Sequence, residues 1–584
     1  MPAAFAFSAI ALPTLFAITD PQVLSQHLIE TSTQAFTLVF TGFGVAFLVM
    51  LVPATLIGAT FPLAGQVYVR NLDQAGASVG RLYAVNTFGN VAGALLPGFV
   101  LLSWLGIQKG ILAMAALNVV LGFVILFLRL MRSPRHPAWR VALPALLILT
   151  TVILSRAPIQ FQFPSEGEQD HFITLFYREG ALATTKVYVD PVTGEKHMSV
   201  DGIVIGGTGN TEFKQLLLAH LPKLLMDDVS TELSIGMGSG ILVGESARHP
   251  GVREITGVEI EPSVITGAGW FSEENHDVLS NPRLTVVEDD ISSFLRTTSS
   301  SFQVISADEK TADEYASNGF SYSREYYDLL RLRLAPQGLV AQWVPTTLPP
   351  SQYRMVLKTF GESFPHVQLW YFLPAYKKGP FNTILIGSVD RIPIDPQRMN
   401  HRFAEHPDAF NSLVPYGLTS VEAVLPHFVA DERTLHDAVK EAQINRFDHP
   451  RYEFFYPWDY AFEREKQIVS NHKFIIELKR KAHPEFFAGI EKDSTDRLRL
   501  RQTFAAEFRY LAGFQKFLSG ISLSENFRLF DDALSVAPWN DSLRARIYAQ
   551  YAYLASTRKN PVERARLKKR ADALYEGTKS SYQE

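Results

Sequence analysis

Cysteine is absent from the 584 residues, which excludes a disulfide framework, a thiolate metal site and a cysteine nucleophile. Charge is scarce in one part of the chain only. Residues 1–157 hold eight Lys/Arg and three Asp/Glu, a net of +5, so the remainder carries −9 if the whole is to reach −4. The charge-poor part is therefore the basic part. That is the pattern of a membrane domain with Arg-bearing cytoplasmic loops, whereas nucleic-acid binders place basic charge in charge-rich segments. Nucleic acid is not an expected partner. At about four times a ~150-residue domain, the length excludes a single small binding module.

Long uncharged runs follow from the missing charge. Residues 36–63, 82–108 and 110–128 contain no Asp, Glu, Lys or Arg, and a spanning helix needs roughly 20 apolar residues. A shorter run at 3–18 lacks the basic start of a cleaved signal. A fifth, 141–155, is flanked by Arg140 and Arg156. The chain thus predicts a multi-pass membrane segment over 1–157 with four to five spans and the lipid bilayer as a partner. The loops at 65–81 and 129–140, which hold the arginines, read as cytoplasmic. Whether 141–155 crosses decides the side on which the rest of the chain lies. Gly89 and Gly93, beside Asn86 and Asn90, fit either close helix packing or a polar substrate path.

From 171 the composition changes to short β-branched and aromatic runs. HFITLFY at 171, TTKVYVD at 184 and KHMSVDG at 196 predict a small β-sheet over 164–210, with PVTGE as a turn. A helix follows at 211–226. Strand patterns at 232, 253, 283, 302, 338, 366 and 382 then alternate with helical stretches, which argues for a doubly wound, mainly parallel sheet over 211–463. Such a sheet binds its ligand at the carboxyl ends of its strands. Residues 464–584 read as a helical appendage, faintly repeat-like at 533.

Two features locate the ligand. GMGSG at 236–240 closes one strand and opens a helix, so Gly236, Gly238 and Gly240 allow close backbone approach. Glu259 ends the next strand at about the offset where an acid meets ribose hydroxyls. The run lacks the third glycine of a dinucleotide fingerprint and the Lys-Ser/Thr of a P-loop, so a nucleoside without a large phosphate group fits, and S-adenosyl compounds are such a class. Asp290 and Asp308 end further strands; each is a site acid or else a helix N-cap or loop acid.

Taken together, VDGIVIGG at 200, SIGMGSGI at 234, GVEIEPSVI at 257, NPRLTVVEDDISSFL at 281, FQVISAD at 302 and GLVAQWVP at 338 resemble the spermidine synthase-like domain. With GATFPLAGQVYVR at 58 and VGRLYAVNTFGNVAGALLPGF at 79, the chain resembles fused MFS/spermidine synthase membrane proteins of a bacterial inner membrane. The resemblance implies a methyltransferase-type Rossmann-like α/β domain behind a small β-sheet. It implies decarboxylated S-adenosylmethionine, or S-adenosylmethionine itself, as co-substrate, a small-molecule amine or related acceptor, and no metal. Gly236, Gly238 and Gly240 would face the nucleoside, Glu259 the ribose and Asp290 the adenine side. Gln215 and Asp201 would belong to the binding site, and Asp308 would be the base. The chain departs from that family at Thr311, Leu216 and Ile205, and Lys214 in the pocket would repel a diamine and welcome an acid. An aminopropyl-transferring enzyme, a nucleoside- or polyamine-binding module coupled to a membrane half, and a methyltransferase are the three expectations. A homo-oligomer or a separate membrane half are possible assemblies.

Overall fold

A computed structural model describes residues 57–69, 72–101, 172–180, 182–308, 319–373, 382–453, 464–481, 495–519, 523–558 and 560–579, with isolated positions between 43 and 55 and between 104 and 124. Two compact units divide the chain: Met1–Lys186 with Val200–Ile203, and Val187–Ser199 with Val204–Glu584.

In the first unit, helix α1 (Thr60–Tyr68) precedes α2 (Ala75–Leu96), which runs on as a π-helical stretch, Pro97–Leu101. Among the described residues no helix is long and apolar enough to cross a membrane. This overturns the expectation of a multi-pass transmembrane segment. The reason is legible in α2. It carries Arg81, Asn86, Thr87 and Asn90 within one helix, and Pro97 breaks the regular backbone ladder inside the stretch 82–108 that read as a single apolar run. Among the described residues a Cβ built on Gly89 or Gly93 meets nothing within 4 Å. The runs at 3–18 and 141–155 lie outside the described residues, as do half of 36–63 and most of 110–128.

Strands β1 (Ile173–Glu179), β2 (Thr184–Val189), β3 (Lys196–Val200) and β4 (Ile203–Gly207) form a sheet in sequence order. The β3–β4 connection is the pair Asp201 and Gly202, at φ 50° and 80°, the positive-φ geometry that two-residue hairpin turns need.

Helix α3 (Glu212–Leu225) leads into an eight-stranded sheet. Its elements are β5 (Thr231–Ile235), α4 (Ile241–Ala247), β6 (Glu254–Glu259), α5 (Pro262–Ala268), β7 (Leu284–Glu288), α6 (Ile291–Thr297), β8 (Phe302–Ala307), α7 (Arg324–Leu332), β9 (Leu334–Pro345), α8 (Pro350–Ser363), β10 (His366–Phe372), β11 (Asn382–Ser388), α9 (Pro396–Glu405), α10 (Val421–Val424), β12 (Phe428–Asp431) and α11 (Glu432–Val439). The spatial order is β12-β10-β11-β9-β8-β5-β6-β7. Strands β7, β6, β5, β8 and β9 are parallel, and β11, β10 and β12 continue the sheet antiparallel. Strand order reverses between β5 and β8, the switch point at which open α/β sheets form their ligand crevice.

Successive residues feed opposite faces, as the two-residue period of a strand requires. Ile305, Val340, Val344 and Leu385 pack with Tyr326, Tyr353 and Phe360 on one face. Val304, Leu339, Ala341 and Ile384 pack with Leu217, Leu221 and Leu224 on the other. Both faces are covered, which is why these strands read as almost unbroken apolar runs. Five further helices, α12 (Arg464–Lys481), α13 (Thr495–Leu518), α14 (Leu523–Val536), α15 (Asp541–Thr557) and α16 (Pro561–Lys579), complete the described chain. Asn471 of α12 donates to the carbonyls of Thr346 and Leu348 at 2.9 and 2.7 Å, fixing the loop that leaves the carboxyl end of β9.

Candidate active site

At the switch point the chain leaves β5 through Gly236, Gly238 and Gly240, at φ 81°, 50° and 79°, and enters α4. The Gly236 N–H donates to the Val258 carbonyl at 2.9 Å and the Gly240 N–H to that of Met237 at 2.8 Å. Among the described residues nothing lies within 4 Å of a Cβ built on Gly238. Glu259, at the end of β6, accepts the Met237 N–H at 3.0 Å and the Glu261 N–H at 3.1 Å. Burial pushes its carboxyl up from the usual range, against the pull of backbone N–H groups from Met237, Glu261, Ile260 and Gly238. Glu259 therefore braces the glycine turn.

Asp308 follows β8, whose last residue, Ala307, pairs in register with Gln342 of β9. Its carboxylate meets the Lys214 ammonium of α3 at 2.5 Å. Lys214 also donates to the Ile205 carbonyl at 3.3 Å and stands 4.3 Å from the centre of the Trp343 ring. The neighbouring Gln215 bridges three elements. It donates to the carbonyls of Gly207 and Thr211 at 3.3 and 3.1 Å, and accepts from the Ser239 hydroxyl at 2.8 Å. The helix, the end of β4 and the glycine turn are thus tied by one amide.

Two residues expected in the site are engaged otherwise. Asp290 is the N-cap of α6, accepting from the Ser293 N–H at 3.0 Å and the Ser292 hydroxyl at 2.5 Å, the common use of Asp at that position. Asp201 lies in the first unit, where its carboxylate accepts the Thr184 N–H at 2.8 Å. Thr311 lies outside the described residues.

Sequence reasoning left Trp343 and Gln342 without a role. Trp343 donates from its indole nitrogen to Asn382 at 2.9 Å while its ring faces Lys214. Gln342 is fully buried, and among the described residues neither end of its amide has a partner. A buried unpaired amide is costly and calls for an explanation. The signal was present in a glutamine inside the apolar run GLVAQWV. A cavity of about 1060 Å³ lies elsewhere, beside Gln352, Met355, Val439 and Phe474. The candidate site is marked by convergent groups rather than by volume. Among the described residues no cluster of three or more His, Asp or Glu could hold a metal ion.

Residues 212–392, which span the turn and every strand from β5 to β11, match the model of the spermine/spermidine synthase domain. The spermidine synthase of Dictyostelium discoideum is 30% identical over 200 residues, 33% of this chain and 69% of that protein. The chain belongs to the spermine/spermidine synthase family. Polyamine aminopropyltransferase 1 of Streptomyces coelicolor is 27% identical over 335 residues, 53% of this chain and 60% of the relative. The polyamine aminopropyltransferase of Mycobacterium tuberculosis is 26% identical over 329 residues, 52% and 59% respectively. The chain thus spans about three-fifths of the length of these two curated relatives. A crystal structure of spermidine synthase with the transition-state analogue AdoDATO aligns with a TM-score of 0.36 at 19% identity, over 40% of this chain and 79% of the other.

Proposed function

We propose that this member of the spermine/spermidine synthase family transfers an aminopropyl group from decarboxylated S-adenosylmethionine to an amine acceptor. The observation that carries the proposal is the placement of Asp308 beside the glycine turn, at the carboxyl ends of adjacent parallel strands and on the switch point of the sheet. The open backbone at Gly238 takes the nucleoside, and Glu259 serves its ribose from the end of β6. An alkylamine with a pKa of about 10.4 is almost wholly protonated near neutral pH and cannot attack carbon until it loses a proton. Asp308 accepts that proton. The amine nitrogen then forms a bond to the methylene carbon attached to the sulfonium, the carbon–sulfur bond breaks, and the sulfur leaves as a neutral thioether. The charge of the donor drives departure. Gln342 offers a buried donor and acceptor to the acceptor molecule.

The test is product mass analysis of the purified chain with decarboxylated or intact S-adenosylmethionine and a panel of amines. An aminopropyl increment that disappears in Asp308→Asn supports the proposal. A methyl increment instead would place the chain among methyltransferases, and no product with either donor would leave a binding role.

A further inference from the structure

The reaction as just described gives Lys214 no role, although the group that receives the acceptor's proton is ion-paired to it. The Lys214 side chain is 8% exposed and that of Asp308 13%. A buried ammonium has three N–H donors to satisfy. Here three partners meet them: the Asp308 carboxylate, the Ile205 carbonyl and the face of Trp343. The last is a cation–π contact, which gains strength where water is excluded. Once the reacting ammonium has given its proton to Asp308, Lys214 is left without its counter-ion, and a second ammonium at the acceptor's other end adds like-charge repulsion in a buried site.

We infer that Lys214 is a specificity-determining residue that stands in for the ammonium of a diamine, so the acceptor is an amine whose other end is neutral or carboxylate-bearing. The inference rests on the aminopropyl-transfer proposal and names its substrate class. A neutral far end brings no second charge to the pair. A carboxylate far end gains attraction from the Lys214 ammonium, whereas a diamine meets repulsion.

Three acceptors of one chain length separate the cases: butane-1,4-diamine, butylamine and 4-aminobutanoate carry a positive, neutral and negative far end. The measurement is kcat/KM for aminopropyl transfer to each by the wild-type chain, Lys214→Gln and Lys214→Arg. The wild type should favour butylamine and 4-aminobutanoate over the diamine by about tenfold or more. Lys214→Gln should raise the diamine relative to the other two by a similar factor, and Lys214→Arg, which keeps the cation, should retain the wild-type order. A wild type that prefers the diamine, or an order unchanged in Lys214→Gln, overturns the inference. If no amine is alkylated, the transfer proposal fails by itself. Selectivity is then read by calorimetric titration of the three compounds into protein saturated with 5′-methylthioadenosine. The same order supports the inference there, and equal or absent binding overturns it.

Discussion

Substituting Gly238 by alanine probes the glycine turn with least collateral damage. At φ 50° an alanine sits in the left-handed region at a cost of about 1 kcal/mol. Among the described residues no atom lies within 4 Å of the added methyl, so folding should lose about that much. If the nucleoside lies on this turn, the same methyl projects into it, and its affinity should fall about tenfold or more, equivalent to about 1.4 kcal/mol. Gly244 in α4 is the contrasting position. There a Cβ would overlap the backbone carbonyl of Asn275, so Gly244→Ala should destabilise by about 1–3 kcal/mol through overpacking. It should leave the affinity of the folded fraction little changed. Urea unfolding gives the stabilities, and calorimetric titration with 5′-methylthioadenosine gives the affinities. Gly238→Ala binding the nucleoside as tightly as the wild type would refute the assignment of the turn as the nucleoside face.

Other expectations follow from buried polar groups. Gln342→Met keeps the volume and removes an unpaired amide, so it should stabilise the fold by about 1 kcal/mol while lowering acceptor turnover; a loss of stability in urea would show that the amide is satisfied. The Arg546 guanidinium meets the Glu507 carboxylate at 2.8 and 2.5 Å, both side chains being buried. Glu507→Gln should therefore cost about 3–5 kcal/mol, the range for stranding one half of a buried pair, whereas a double replacement by apolar residues should cost much less in the same urea assay. Burial holds His472 down at about 4, against the hydrogen bond to the Leu511 carbonyl. A histidine kept neutral in the fold is protonated on unfolding below pH 6.5, so stability should fall by about 3 kcal/mol as pH drops from 6.5 toward 4. Burial likewise lowers His427, to about 3. Glu507, whose carboxyl burial would raise, is held at about 2 by Arg546, so its contribution is present above pH 4.5 and is lost below it. Urea midpoints measured from pH 7 to pH 4, with His472→Gln as comparison, should show the histidine slope flattened in the variant.

Much of the sheet was legible. The seven strand patterns from 232 to 388 each coincide with a strand of the large sheet, and the GMGSG turn falls between β5 and α4. Strand β12, four residues at the sheet edge, carries too few residues to show a period. The antiparallel continuation was missed for a related reason. Apolar runs covered on both faces look alike whichever way the neighbouring strand runs, so GLVAQWV and NTILIG gave no sign that β11 pairs antiparallel to β9. The membrane expectation failed because a charge count ignores what interrupts a helix, and Pro97 with the polar residues of α2 interrupts this one.

Sequence alone determined the local chemistry: glycines where the chain must turn at positive φ, an acid at the end of each of several strands, and an apolar period of two that commits those segments to a sheet. These are properties of a few neighbouring residues and follow from backbone sterics and burial. Tertiary structure decided which of the acids do what. Asp290 closes its own helix and Asp201 ties its turn to the start of β2, both through partners within seventeen residues, whereas Asp308 meets Lys214 across 94 residues. A carboxylate's partner is whichever group folding brings within about 3 Å, and no spacing along the chain encodes a contact that only α3 packing against the sheet creates.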